Sequence, residues 1–310
     1  MMSEQNLSLA KRLWIYQSER IPLFKTSILL AVFSSASINV SAMLAGRAYP
    51  SWAAYFTAFS VALIIFMQLR ACDEFKDGPD DYKFRPERPI PRGLVSLKTI
   101  LGIGFGLIPV GLIVSVLYHP PLVILLILVW LWLGLMTTEF FVPKWLKSKP
   151  VLYMISHMAI MPLLDLFVTG AEWLPASGSP APALILFLGL SFVNGCVLEI
   201  GRKIWAPQSE REGVETYSAL WGVGRSITIW LATLIAAYIL LCGVGLATGH
   251  FAVTAIPCAL MLAACIYAGL SMRDGPTLKR QKWMDTISGL WVFVCYVAAG
   301  FAPIATGYFA

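Results

Sequence analysis

Residues 70–93 read Arg70-Ala-Cys-Asp-Glu-Phe-Lys-Asp-Gly-Pro-Asp-Asp-Tyr-Lys-Phe-Arg-Pro-Glu-Arg-Pro-Ile-Pro-Arg-Gly93 and concentrate charged residues within an otherwise apolar chain. Asp73 and Asp77 are four residues apart, so they share one helical face if the preceding apolar helix continues for one more turn. Glu74 lies beside them. The pair Gly78-Pro79 predicts the end of that helix, because proline clashes with the preceding turn and glycine permits the chain to leave it.

The acidic residues of this stretch predict a metal site. Asp80 and Asp81 are expected on the loop after the helix, where one of them could turn back toward the first pair. Clustered carboxylates repel each other unless a cation lies between them. Magnesium is bound by one or two carboxylates and completes its coordination with water and phosphate oxygens. The predicted ligands of a Mg²⁺ ion that also binds a diphosphate are Asp73, Glu74, Asp77 and Asp81.

The composition excludes a water-soluble protein. Of 310 residues, 58% are hydrophobic and only 13% are charged, and a soluble core could not bury so much apolar surface. The formal charge of +6 is attributed to membrane topology, so no nucleic acid partner is expected. The six cysteines form no Cys-x-x-Cys pair and mostly lie in apolar runs, which predicts neither zinc nor disulfides. We therefore predict an integral membrane protein surrounded by lipids.

Apolar runs long enough to cross about 30 Å of hydrocarbon predict an all-α bundle of about nine transmembrane helices. They cover residues 23–46, 52–72, 98–118, 120–141, 150–170, 182–201, 224–247, 251–271 and 286–308. With the N-terminus in the cytoplasm, every Lys and Arg except Arg47 falls on the cytoplasmic side, which determines the predicted orientation. An odd number of crossings then places the C-terminus on the opposite side. The helices are expected to surround a central cavity that opens near the cytoplasmic face.

Residues 1–22 are predicted to form an amphipathic arm that lies on the membrane and anchors its orientation. Apolar residues such as Leu13 and Trp14 stand beside Lys11 and Arg12, a composition typical of interfacial helices. No linker or low-complexity segment separates this arm from the rest. A single transmembrane domain over residues 1–310 is therefore expected.

Two linked motifs carry a family resemblance. The acidic spacing of residues 73–81 is followed by Arg88-Pro-Ile-Pro-Arg-Gly93, and both come after an even-numbered membrane helix. This order resembles the first signature of the UbiA superfamily of intramembrane prenyltransferases. The signature begins Asn-Asp or Asp-Asp, so Glu74 departs from it while keeping the charge. The resemblance implies an enzyme with Mg²⁺ as cofactor and an isoprenoid diphosphate as substrate.

Basic residues near the predicted cytoplasmic ends are candidates for contact with the diphosphate. Prolines stiffen the loop that carries Arg88 and Arg92, and the resemblance implies that both contact the leaving group or support the loop. Residues 137–147 resemble the superfamily's aromatic-then-lysine segment, which implies that Lys144 reaches a phosphate. Arg202 and Lys203, at the end of the sixth helix, complete this set. The predicted catalytic residues are Asp73, Asp77, Asp81, Lys144 and Lys203.

The second aspartate motif of the superfamily is altered in this chain. Gly213 and Thr216 match its Gly-x-x-Thr tail, but Trp205 and Ser209 stand where the resemblance expects aspartates. Lys203 follows Glu199 by four residues, so it could contact the diphosphate or form an ordinary helical ion pair with that glutamate. The candidates for a replacement metal ligand are Glu199, Glu210 and Glu212. Of these, Glu199 is the predicted one.

The fifth predicted helix contains two ionisable residues, His157 and Asp165. They lie on nearly one face, about 12 Å apart along the axis. Ionisable groups inside membrane segments are costly and tend to be functional or paired. Asp165 lies nearer the outer end of the span, where simple hydration is the alternative.

Three functions are compatible with the sequence. Loss of diphosphate would leave an allylic carbocation, which needs shelter from water and is stabilised by aromatic faces. The resemblance implies transfer of the prenyl group to an aromatic or lipid acceptor. The altered second motif favours the alternative of cyclisation, as in UbiA-type terpene cyclases. A transporter or scaffold is disfavoured, because transporter polar groups cluster near mid-membrane whereas these acids lie at one membrane face.

Overall fold

The computed structural model describes residues 7–307, and over that range all its regular structure is helical. The α-helices are α1 (Leu9–Arg20), α2 (Leu23–Leu44), α3 (Trp52–Lys76), α4 (Gly78–Phe84), α5 (Leu97–Tyr118), α6 (Leu122–Thr137), α7 (Pro143–Lys147), α8 (Pro150–Met158), α9 (Ile160–Ser177), α10 (Leu184–Arg202), α11 (Tyr217–Trp221), α12 (Val223–Ala247), α13 (Phe251–Asp274), α14 (Leu278–Gly300) and α15 (Ala302–Ala305). Short 3-10 turns occupy Glu139–Phe141 and Pro207–Ser209. The sequence predicts on which side of the membrane each chain terminus lies. These predictions concern residues 1–6 and 308–310, which are outside the described residues.

Among the described residues, eight helical segments are long and apolar enough to cross a membrane. They are α2, α3, α5, the consecutive pair α8 and α9, α10, α12, α13 and α14. The remaining predicted span corresponds to α6, which is apolar but has only 16 residues. The prediction of an all-α membrane bundle is confirmed, with nine as an approximate count, and the chain is a multi-pass integral membrane protein. Its orientation across the membrane stays a prediction.

The fifth predicted span is broken between α8 and α9 instead of forming one straight helix. Pro162 explains the break, because a proline has no N–H to donate to the carbonyl four residues earlier, which belongs to Met158. Met158 is the last residue of α8. The break separates the part of this span that carries His157 from the part that carries Asp165.

Buried apolar side chains form two main clusters. One joins α3, α6 and α9, and the other joins α10, α12, α13 and α14. Helix α2 contributes to both, since Leu30 and Ile38 belong to the first cluster whereas Ala36 and Val40 belong to the second. Burial on both sides explains why small residues are frequent along α2, where they allow the neighbouring backbones to approach closely. This helix therefore joins the two halves of the bundle.

Asp165 is a buried hydrogen-bond acceptor between helices. It is 0% exposed, and its two carboxylate oxygens accept hydrogen bonds from the hydroxyls of Ser37 at 2.6 Å and Tyr296 at 2.7 Å. The alternative of simple hydration was therefore wrong, because the side chain is paired inside the bundle. Its partners lie on α2 and α14, so Asp165 links three helices at a depth where an unpaired carboxylate would be very costly.

The N-terminal helix α1 is held against the end of α3 and the loop that follows it. Glu74 is only 2% exposed and accepts hydrogen bonds from Arg20 Nε at 2.6 Å and the Tyr16 hydroxyl at 3.4 Å. Glu19 binds both terminal nitrogens of Arg92 at 2.8 Å, and this hydrogen bonding lowers the pKa of Glu19. The arm is therefore docked onto the protein by two sets of ion pairs.

Candidate active site

Charged segments from several helices meet at one end of the bundle, here called the charged end. It consists of α1, the end of α3, α4, residues 85–96, α7, the end of α10 and residues 203–222. Two of its segments touch directly, since Arg211 lies 3.5 Å from Glu87 and Gly213 lies against the ring of Phe84. Sequence segments more than a hundred residues apart thus form one surface.

The predicted extra turn of α3 is present. The backbone N–H of Asp77 donates to the carbonyl of Asp73 at 2.8 Å, so the two carboxylates share one helical face. The prediction that Asp80 and Asp81 lie on a loop was wrong, because Pro79 occupies the first turn of α4, where its missing N–H costs nothing. Asp81 is buried as a result, whereas Asp80 remains exposed.

Asp73 and Asp77 retain unneutralised negative charge. The Asp73 side chain is 47% exposed and pairs with Arg70 at 3.0 Å. Asp77 has no side-chain hydrogen bond or ion pair with any residue in the range 7–307. Burial raises the pKa of Asp77, and the charges of Asp73 and Asp81 raise it further against the opposing charge of Lys76. A cation beside this pair would relieve that repulsion.

The other three predicted metal ligands are already ion-paired. Glu74 faces α1, as described above, and Asp81 binds Arg85 at 3.2 Å and Arg88 at 2.5 Å. Glu199 binds Lys203 at 2.8 Å and also pairs with Arg202. The structure therefore brings Asp73 and Asp77 together with open carboxylate oxygens, and it gives Glu74, Asp81 and Glu199 basic partners instead.

The predicted diphosphate-binding cations fall into three groups. Arg88 supports the loop through Asp81, and Arg92 supports it through Glu19 and the carbonyl of Glu87 at 2.8 Å. Arg202 and Lys203 form the helical ion pairs with Glu199 that their spacing suggested. Lys144 is exposed on α7. Among these five, only Lys144 has no described ion pair. The charge of Asp73, at the end of α3, also acts on Arg202.

Two residues beside the carboxylate pair, Lys76 and Tyr153, were missed by the sequence analysis. Lys76 Nζ donates to the hydroxyl of Tyr153 at 2.9 Å and lies 5.4 Å from the centre of its ring. The charges of Asp73, Asp77 and Glu199 all act on Tyr153, which places this tyrosine between the ends of α3 and α10. The role of Lys76 could have been predicted from the sequence, because Lys76 directly precedes Asp77 and, three residues after Asp73, shares its helical face.

A strained turn joins α6 to α7 beside Tyr153. Three consecutive residues, Glu139, Phe140 and Phe141, have positive φ angles of 49°, 54° and 61°. This conformation costs about 1–2 kcal/mol for each residue other than glycine, and such strain is concentrated at functional sites. The turn buries Glu139 within 3.5 Å of the Tyr153 hydroxyl and places the ring of Phe140 5.5 Å from that of Trp132.

Comparison with known proteins identifies the family. The model of the UbiA prenyltransferase family matches residues 30–294, which is most of the chain. The chain belongs to the UbiA prenyltransferase family. None of the curated proteins matches it. The fold is similar to that of a digeranylgeranylglyceryl phosphate synthase, with a TM-score of 0.64 at 17% identity over 95% of this chain and 99% of that one. A UbiA homolog from Aeropyrum pernix K1 gives a TM-score of 0.66 at 16% identity over 89% of this chain and 97% of that one.

In this UbiA family member, the altered second motif is a compact, hydrogen-bonded loop. Glu210 accepts hydrogen bonds from the hydroxyls of Thr216 and Ser218, both at 2.7 Å. Ser218 also accepts from the backbone N–H of Trp205 at 2.7 Å. The Glu210 carboxylate is thus used to close the loop. Its hydrogen bonds explain why a glutamate without a basic partner is accommodated there.

Gly213 fits this loop against α4, and we expect Gly213→Ala to destabilise the protein more than Gly178→Ala. Both glycines have a positive φ of 73°, so an alanine costs about 1–2 kcal/mol of backbone strain at either position. A Cβ at Gly213 would also lie 2.3 Å from the Phe84 ring, whereas one at Gly178 meets nothing within 4 Å. Thermal unfolding in detergent measures the difference.

The Phe84→Ala change should recover most of the extra loss in the Gly213→Ala protein, because it removes the ring with which the new methyl group collides. Equal destabilisation by the two glycine variants would show that α4 and the second loop are not packed together as described.

The residues of this UbiA protein fit a magnesium ion that is shared with a substrate. Among residues 7–307, no three Asp, Glu, His or Cys side chains are arranged to hold a metal ion. Asp73 and Asp77 supply two hard oxygen donors near the negative end of the α3 dipole. Mg²⁺ commonly uses one or two carboxylates and takes its other ligands from water and phosphate. The donor set is therefore suited to a magnesium–diphosphate complex.

Two cavities lie near these residues. One, of about 10 Å³, is bordered by Asp73, Lys76 and Thr137 and has the volume of about one water molecule. The other, of about 360 Å³, is mostly apolar and lies between α1, α3 and α5, with Trp14 and Arg70 in its lining. It borders the docked arm. A central cavity open at the charged end stays a prediction.

Proposed function

We propose that this protein is a magnesium-dependent enzyme that removes diphosphate from an isoprenoid substrate at the charged end and transfers the prenyl group to an acceptor. The observation that carries the proposal is the pair Asp73 and Asp77, whose carboxylates share one face and lack full neutralisation. Arg70 and Lys76 lie beside this pair on α3, the charge of Asp73 acts on Arg202 of α10, and membership of the UbiA family supports the same reaction class. The membrane-embedded helices below provide an environment for the hydrocarbon chain.

Asp73 and Asp77 are the proposed ligands of the magnesium ion, which when bound neutralises charge on the departing diphosphate. Lys76 adjoins Asp77 and is the proposed direct contact to a diphosphate oxygen.

Arg202 and Lys203 share the single carboxylate of Glu199, so both keep N–H donors available for further phosphate oxygens. In this assignment Glu74 and Asp81 position the surrounding arm and loop through their ion pairs.

Aromatic side chains next to Lys76 are the proposed shelter of the allylic carbocation. Phe140 belongs to the strained turn and contacts Trp132, and the ring of His157 connects Phe140 to Tyr153. The negative faces of such rings attract cations. Tyr217, which follows the second motif, has Lys203 Nζ 5.9 Å from its ring centre. Burial, with the charge of Glu199, raises the pKa of Tyr217, so its neutral ring is retained.

The acceptor is proposed to be an aromatic or lipid molecule. The similar digeranylgeranylglyceryl phosphate synthase supports a lipid acceptor by its name, although at 17% identity it shows the fold alone. Cyclisation of the isoprenoid chain is the second candidate. It is favoured by one observation, the replacement of two expected aspartates by Trp205 and Ser209 in the second motif.

The proposed function is tested with purified protein in lipid nanodiscs and geranyl, farnesyl or geranylgeranyl diphosphate. Released diphosphate and organic products are measured with Mg²⁺ or with EDTA, and with or without an aromatic or glycerol-based acceptor. Acceptor-dependent release supports transfer, whereas a cyclic hydrocarbon formed without acceptor supports cyclisation. Failure of all three substrates to release diphosphate under any of these conditions would contradict the proposal.

Lys203→Ala should weaken binding of an isoprenoid diphosphate about tenfold, the effect of losing one charge-assisted hydrogen bond. Glu210→Ala should change it much less, because the Glu210 carboxylate is committed to Thr216 and Ser218. Titration of both variants with a fluorescent isoprenoid diphosphate measures the order. The reverse order would assign the role of replacement ligand to Glu210.

A further inference from the structure

His157 has one engaged and one unengaged ring nitrogen. The residue is 6% exposed, and its Nδ1 lies 2.9 Å from the backbone carbonyl oxygen of Tyr153. Its Nε2 is buried and has no hydrogen-bond partner in the described part of the chain. Leaving a buried polar atom unpaired sacrifices the hydrogen bonds that it made to water, so such an atom calls for an explanation.

The hydrogen bonds around Nδ1 determine which nitrogen carries the proton in the neutral ring. A carbonyl oxygen only accepts, so Nδ1 must donate to Tyr153. The neighbouring Ser156 hydroxyl lies 3.3 Å from Nδ1, but it donates its own hydrogen to the same carbonyl at 2.9 Å. Ser156 therefore has no second hydrogen with which to force the other tautomer. Nε2 is left with a free lone pair and acts as an acceptor.

The position of His157 links this lone pair to the proposed reaction. Its ring stacks on Tyr153 with centres 4.0 Å apart and planes 12° apart, and Tyr153 contacts Lys76. The ring of Phe140 meets it edge-on at 6.3 Å. The charged groups that act on the imidazole are Lys76, Glu199 and Lys203. His157 therefore lies between the two cationic helix ends, among the aromatic rings proposed to shelter the carbocation.

We propose that His157 Nε2 is the proton acceptor of the reaction, an inference that rests on the proposed function. When the allylic C–O bond breaks, its electron pair leaves with the diphosphate. The allylic carbon then bonds to a π carbon of an aromatic acceptor or of the same chain, which creates a new carbocation. Nε2 takes a proton from the carbon next to that cation, and the C–H electron pair restores the double bond. The imidazolium returns the proton to the released diphosphate.

This role is needed in the two reactions that form a carbon–carbon bond, transfer to an aromatic acceptor and cyclisation. Prenylation of an aromatic carbon and cyclisation to an alkene each end with loss of one proton from carbon. Diphosphate is formed only when the C–O bond has broken, so it is present to receive the proton afterwards. The imidazolium forms against the face of Tyr153, where a cation–π contact stabilises it.

The test compares His157→Asn with the wild-type protein, using geranylgeranyl diphosphate and Mg²⁺ with and without an aromatic acceptor. Asparagine keeps an N–H donor near the position of Nδ1 but has no basic nitrogen. Diphosphate release should stay within about threefold of wild type. Products that require loss of a proton should fall about 100-fold, the usual contribution of a general base, and be replaced by the prenyl alcohol. His119→Asn, at the far end of α5, is the matched control and should behave as wild type.

Unchanged proton-loss products from the His157→Asn protein would overturn the assignment while leaving the proposed function intact. A folded variant that lost diphosphate release as severely as product would also overturn it, because proton acceptance follows ionisation. If the wild-type protein released no diphosphate, both the function and this assignment would fail.

The tautomer provides a second test that does not depend on a variant being active. The chain has three histidines, so ¹⁵N-histidine NMR spectra can be assigned by single substitution. We expect the His157 signals to show a protonated Nδ1 and an unprotonated Nε2. The opposite tautomer would overturn the proposal, because Nε2 would then carry a hydrogen instead of a lone pair.

Discussion

Asp77→Asn is expected to reduce diphosphate release by about 100- to 1,000-fold while the protein stays folded. The substitution removes one of two carboxylates proposed to hold magnesium, and the loss of an electrostatic contact that acts on developing charge commonly costs 10²–10³ in rate. Asparagine has nearly the same size and shape as aspartate. Asp77 also has no described side-chain partner whose loss would destabilise the fold. The measurement is the rate of diphosphate release at saturating Mg²⁺.

Asp80→Asn is the matched control, since it removes the same charge from an exposed position three residues away. Its activity should stay close to that of the wild type. If both variants retained activity, the carboxylate pair would have no role in the reaction. If both lost it equally, net charge at the charged end would be the cause, and a specific metal ligand would not be needed.

Gly300→Val is expected to have the largest effect on stability, removing most of the folded protein from detergent extracts. Even the Cβ of an alanine at this position would lie 2.4 Å from the Cα of Ala36 and 2.7 Å from its carbonyl oxygen. Backbone atoms cannot move aside as a side chain can. Overpacking typically costs about 1–3 kcal/mol, and a collision with backbone at a helix crossing exceeds that range. The contact joins α14 to α2, which connects the two halves of the bundle.

Gly289→Ala serves as the control within the same helix, because a Cβ there meets no atom within 4 Å. Alanine favours helix over glycine by about 1 kcal/mol, so this variant should unfold at the same or a higher temperature. Thermal unfolding followed by tryptophan fluorescence reports both changes. A Gly300→Val protein as stable as Gly289→Ala would mean that α2 and α14 do not cross this closely.

Hydropathy was sufficient to predict most of the fold, because a membrane span needs only length and apolar composition. It placed the start of the last helix at residue 286, whereas α14 begins at Leu278. The preceding Thr277 caps this helix by accepting from the N–H of Arg280, so the helix continues beyond the apolar run into charged sequence. The break after Met158 was missed because Pro162 disturbs the helix while the mean hydropathy of the whole span stays within the range of the other spans.

The candidate site was partly predictable for similar reasons. The shared face of Asp73 and Asp77 follows from helical spacing alone, and the ion pairs of Glu199 follow from the same rule. The contact of Lys76 with Tyr153 joins α3 to α8 and has no local signature. Glu74 was assigned to the metal from its position in the motif, yet its one-residue offset turns it toward Arg20 on the docked arm.

The central claim is that Asp73 and Asp77 bind magnesium together with an isoprenoid diphosphate. It is tested most directly by titrating the protein with geranylgeranyl thiolodiphosphate, an analogue that resists ionisation, in Mg²⁺ and in EDTA. The account predicts binding by the wild type in Mg²⁺ that weakens at least about tenfold in EDTA, and equally weak binding by Asp77→Asn in both solutions. The same affinity in all four measurements would contradict it.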